Sequence, residues 1–297
     1  MGVSGFTIEW KPRALSLDAL FDNDRAVRAA ALAHVAAERE HWRSALAAKI
    51  AFIAKEAALA LTRAEEVGGP TTALATKLTR ACVALSVLRV DVAKSCLFRI
   101  ADEGTPSVKS VLAHSLRDTK TAESRAVLVH LLSDDDARSD ALVAIAASPW
   151  PEVLPQLIEV AEADDHAARL AMKAIGKIGA TAGERERNAA ADFLVEALDD
   201  DAVRSAATFA LLRYGAAFPR IVLDRAKQLA KEPGERKALG LFLLAAYGDE
   251  GNADFLELAL AVKTDEPAAR AFLGPLREDP DARIQDAADR TWRVLSL

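Results

Sequence analysis

The chain has 297 residues, of which 51% are hydrophobic and 5% aromatic, with two cysteines and a formal net charge of -6. Two cysteines do not make a disulfide framework, and an acidic balance weighs against nucleic acid, whose binding draws its affinity from clustered cations. Ala, the strongest helix former, is the dominant residue, and no run alternates in the manner of a strand apart from Phe6–Trp10, so the expected class is all-α.

Residues 1–17 lie outside any repeat and are expected to cap the first helices. They lack the apolar core of a signal peptide. Residues 18–104 read as irregular helical repeats, and the first hundred residues are mildly basic. From Ala36 to Glu66 there is no Gly or Pro, which fits one long helix or two abutting ones. Lys49, Lys55 and Glu56 interrupt its most apolar stretch, so it does not read as a membrane span. Val67-Gly68-Gly69-Pro70-Thr71 is the clearest break in the chain. Cys82 and Cys96 both sit in apolar helical stretches and read as buried reduced thiols.

Residues 105–278 repeat themselves. Asp134-Asp135-Asp136-Ala137-Arg138 and Asp199-Asp200-Asp201-Ala202-Val203-Arg204 share one pattern, and Asp164-Asp165-His166-Ala167-Ala168-Arg169 varies it. Each is an acidic turn followed by a small or β-branched residue, an Arg and an Ala-rich helix. The anchor cations Lys109, Arg138, Arg169, Arg204, Arg236 and Arg270 recur at a near-constant spacing, which a single globular core would not produce. Within one unit, Val203, Ala206, Ala207, Ala210, Leu211 and Tyr214 share a helical face, and Gly215 is placed to end that helix, as Gly179 and Gly248 are in theirs. The Asp residues are expected to cap the free N–H groups of the second helix. Residues 279–297 read as a closing helix with charge on several sides.

These Asp-turn-Val/Ala-Arg units resemble the HEAT-repeat family, in particular its short bacterial type, well over 105–285 and poorly over 20–104. The resemblance implies a single α-solenoid of stacked antiparallel helix pairs, a HEAT-like superhelix whose second helices line a concave face. It also implies several functions: scaffolds, DNA binders including alkyl-base DNA glycosylases, and bilin lyases. The chain has no His-Glu dipeptide of the kind that marks the iron hydroxylases of the family, and its four Trp residues lie far apart.

His34, Glu38 and His41 are spaced to share one helical face, yet no further His, Cys or Glu-x-x-His motif completes a metal site. They read as a solvated polar stripe. Gly176-Lys177-Ile178-Gly179-Ala180-Thr181-Ala182-Gly183 does not fit a phosphate loop and reads as an inter-repeat loop. The six anchor cations read as a structural ladder paired with the Asp turns. Lys173, Lys177 and Thr208 are the expected exposed positions of the second helices, open to a partner. The reading is therefore a cytoplasmic, non-enzymatic scaffold with no cofactor and no metal, binding a protein partner. A HEAT-like DNA binder, glycosylase or bilin-lyase-like protein is the alternative.

Overall fold

The computed structural model describes residues 17–163, 165–200, 202–214, 219–247, 255, 258 and 266–295. Sixteen α-helices and no strand occur among them. The Phe6–Trp10 run, the cap segment up to residue 16, and the glycines 215 and 248 lie outside the described residues. Contacts divide the chain into two compact units, Met1–Ser148 and Pro149–Leu297. The division falls within the stretch read as regular repeats, where Pro149 and Pro151 supply no backbone N–H.

The first unit holds α1 (Leu17–Leu20), α2 (Arg25–Ala37), α3 (Glu40–Glu66), α4 (Thr72–Leu88), α5 (Asp91–Glu103), α6 (Pro106–Leu116), α7 (Ala122–Leu132) and α8 (Arg138–Ala147). Helices pack on the next and the next but one: α3 on α4 and α5, α4 on α6, α5 on α6 and α7, α6 on α7 and α8. Each helix therefore carries two buried edges, and Ala fills many of these positions because it lets backbones approach. In α3 the inward stripe is Ala47, Ile50, Ala54, Ala57 and Leu61. The stretch from Ala36 to Glu66 is not one helix. Glu38 and Arg39 are extended, with ψ of 161° and 149°. Local propensity gives no reason for this break, because every residue there forms helices well; α2 and α3 both pack on α4. The expected break after Val67 is present, with Gly68 at φ 67°, where a side chain would be strained.

The second unit holds α9 (Leu154–Ala163), α10 (Asp165–Thr181), α11 (Glu184–Glu196), α12 (Arg204–Tyr214), α13 (Pro219–Leu229), α14 (Glu235–Ala246), α15 (Glu266–Leu276) and α16 (Ala282–Val294). Here α10 packs on α9, α11 and α12, α11 on α13, and α14 on α13, α15 and α16. The closing helix α16 buries Ile284, Ala287, Ala288 and Thr291 along one stripe.

The stretch 176–183 is not a loop. Residues 176–181 belong to α10, so Gly179 lies inside the helix it was expected to end, and only Ala182 and Gly183 connect it to α11. A glycine inside a helix is tolerated when packing needs the space. A Cβ on Gly176 would meet the Tyr214 ring of α12 at 2.5 Å. Gly240 in α14 serves the same purpose more stringently, since a Cβ there would run into the backbone of Ala226 and Ala230.

Candidate functional site

The repeated turn and its Arg form a local device. The Asp134 carboxylate accepts hydrogen bonds from the N–H groups of Asp136 and Ala137, each at 3.1 Å, and Asp200 accepts from Ala202 N–H at 2.9 Å. These acceptors close the turn itself. The capping position of α8, Ala137, makes no side-chain cap. The Arg then reaches back six residues. Arg138 Nε donates to the Leu132 carbonyl at 2.9 Å and Arg204 Nε to the Leu198 carbonyl at 2.8 Å. In the weaker copy near the start, Arg28 donates to the Asp22 carbonyl at 2.7 Å. A carbonyl left without an N–H at the end of one helix is thus met by the first residues of the next.

The other anchors differ. Lys109 is buried and paired with Asp134, which holds that carboxyl below the usual aspartate value, chiefly through the Lys109 hydrogen bond. Arg204 is 8% exposed and lies 3.5 Å from Glu235. Arg236 pairs with Glu232 at 2.9 Å and Asp199 at 3.4 Å, while Arg270 lies 5.6 Å from the Trp292 ring centre. Arg169 departs from this pattern: it is exposed and joins no ion pair among the described residues.

Arg169 opens instead onto a groove of about 470 Å³ formed by α10, α12 and the turn before α16. Arg169 and Lys173 are four residues apart on α10; Ser205, Phe209 and Arg213 are spaced by four on α12. All five are exposed, Phe209 by 39%. Neither Lys173 nor Arg213 makes an ion pair among the described residues. Lys177 lies beside this cluster. Its partial burial, with the charges of Lys173 and Arg213, holds its ammonium below the usual lysine value. The Arg213 charge acts on the Asp281 carboxylate across the groove as well, helping to lower it; like charges crowded on one wall favour an anion beside them.

The opposite rim carries Asp279 and Asp281. Asp281 caps α16 through Arg283 N–H at 3.0 Å, and this bond holds its carboxyl below the usual value. The groove therefore has a cationic wall, an exposed aromatic and an acidic end. Of the three positions expected to be open, Lys173 lines the groove, Lys177 lies beside it without lining it, and Thr208 is not part of it. Thr208 is 2% exposed, with its hydroxyl donating to the Arg204 carbonyl at 2.8 Å. The buried face of α12 is wider than the spacing of its aliphatic residues indicates, because the Arg204 side chain and Thr208 both belong to it. Phe209 and Arg213 replace Thr208 on the open side. Their signal in the sequence is a Phe out of phase with the buried stripe.

The other polar constellations do not form a site. His34 and Glu38 lie 3.1 Å apart, but the break at residues 38–39 puts His41 in the next helix, where its ring contacts Trp42. No metal-binding cluster occurs among the described residues. No tryptophan lines the groove. No family model matches this sequence, and no curated protein is similar enough to it to indicate a relative.

Proposed function

We propose that this chain is a non-enzymatic scaffold, an α-solenoid of the HEAT type that holds a segment of a protein partner in the α10/α12 groove. The near-constant repeat and the packing of helices on the next and next but one support the solenoid reading within each unit. The observation that carries the functional reading is the convergence of Arg169, Lys173 and Arg213, none ion-paired among the described residues, beside the exposed Phe209. Side chains that serve only stability resemble Arg204, which is buried and bonded. An anchor cation left open in a concave, partly apolar surface suits recognition.

The partner segment has to be acidic at the α10 wall and tolerate carboxylates at the other rim. That mixed demand fits a peptide carrying both charges better than a phosphate backbone, which Asp279 and Asp281 would repel. Affinity capture from the native host with the wild-type chain and with the double variant Lys173→Glu/Lys177→Glu tests the reading. The expected result is a protein retained by the wild type and lost by the variant at unchanged helicity. Equal retention would move the site elsewhere. Duplex DNA bound with sub-micromolar affinity near about 150 mM salt, with a steep salt slope, would replace the partner class.

A further inference from the structure

The first unit carries a second groove, between α3 and α5, that the proposed function does not use. Its α3 wall presents Phe52, Lys55 and Leu59, and its α5 wall Val92, Cys96 and Arg99. Phe52 is 66% exposed, and Leu59 and Val92 are each 44% exposed. None of these apolar residues belongs to the buried stripes of α3 or α5, which are complete without them. Large apolar side chains gathered in one exposed concavity mark an interaction site more often than singly scattered ones do. The groove holds about 510 Å³, within the roughly 300–1,000 Å³ usual for small-molecule sites, which are mostly apolar with a few placed polar groups.

The polar groups here are two cations. Lys55 and Arg99 come from opposite walls, and both act on the Cys96 thiol, opposing the upward push that its burial causes. Neither forms an ion pair among the described residues. The carboxylates that line the groove, Asp91 and Glu103, stand at the first and last positions of α5, leaving the middle of the groove cationic. An acid head with an apolar tail satisfies both features at once. We propose that this groove binds an amphiphilic carboxylate of the fatty-acid type, its carboxylate between Lys55 and Arg99 and its alkyl chain running from there along Phe52 and Val92. Arg99 supplies a planar fork for two carboxylate oxygens and Lys55 a point charge.

Cys96 provides a reporter. It is half-buried in the groove, with its Sγ 3.8 Å from the Ala51 carbonyl, whereas Cys82 is fully buried.

The test titrates the full chain calorimetrically with decanoate, decanol and decyltrimethylammonium, each below its micelle concentration. Decanoate should saturate one site, with the neutral and cationic amphiphiles weaker by about tenfold or more. Lys55→Glu/Arg99→Glu should weaken decanoate by at least about tenfold at unchanged helicity, and the milder Lys55→Gln/Arg99→Gln by less. Saturating decanoate should also slow alkylation of Cys96 in the wild type and not in the charge-reversed variant. The proposal is overturned if decanoate fails to saturate, if the cationic amphiphile binds equally, or if the charge-reversed variant binds as the wild type does. Sedimentation showing that decanoate merely disperses a dimer held through Phe52 and Leu59 would equally overturn it, and would make the groove an interface between copies of this chain.

Discussion

Arg204→Ala and Arg169→Ala should have very different effects on stability, although the two residues occupy equivalent places in the repeat. Arg204 is buried, donates a good hydrogen bond to Leu198 at 2.8 Å, and has among its further contacts longer ones at 3.5 Å to the Asp199 carbonyl and Glu235. One well-formed bond from a charged donor contributes about 1.5–3 kcal/mol, and the long contacts add little. Truncation also leaves the Leu198 carbonyl without its donor and removes the packing of the aliphatic stem. The expected loss for Arg204→Ala is therefore about 2–3 kcal/mol, or a fall in melting temperature of about 4–10 °C for a unit of this size. Arg169→Ala removes an exposed side chain with no ion pair among the described residues, so its effect should stay within about 0.5 kcal/mol. Urea unfolding followed by far-ultraviolet circular dichroism measures both. Equal losses for the two variants, or a larger loss for Arg169→Ala, would refute the assignment of Arg204 to stability and Arg169 to the groove.

Gly240→Ala should lose about 1–3 kcal/mol in the same assay, because overpacking against the backbone of Ala226 and Ala230 exceeds the gain in helix propensity of about 1 kcal/mol. The Asp134 carboxyl is held below its ordinary value of 3.8, chiefly by Lys109. Its stabilising contribution should be complete above that value and be lost as pH falls through the lower folded-state value. Lys109→Met should flatten that part of the acid limb, and a pH series of urea midpoints would show it. A thiol reagent should modify Cys96 on the native protein while sparing Cys82, whose burial pushes its thiol up and closes off access. Mass spectrometry of the labelled protein checks this, and native labelling of Cys82 would contradict the packing of α4.

The helical class was legible because it rests on local chemistry, Ala-rich stripes at helical spacing, and the Asp turn followed by Arg was legible as a local motif that makes the same backbone contact at Arg138 and Arg204. The role of that Arg was only half legible. Spacing suggests a carboxylate partner, but reaching back to the Leu132 or Leu198 carbonyl depends on how the preceding helix ends. The break at Glu38–Arg39 and the continuation of α10 through Gly179 carry no local signal in the sequence. Of the candidate site, Lys173 could be read from its spacing after Arg169. Thr208 misled because the buried face of α12 includes polar residues. The groove between α3 and α5 was invisible in sequence, since Phe52 and Leu59 look like core residues until the stripe of α3 is seen to be complete without them.

The most direct test of the scaffold reading is a titration of the purified captured partner against the wild type and Lys173→Glu/Lys177→Glu. Binding to the wild type should be saturable and should weaken in the double variant by about tenfold or more at unchanged melting temperature. Binding of equal strength to both proteins would contradict that reading.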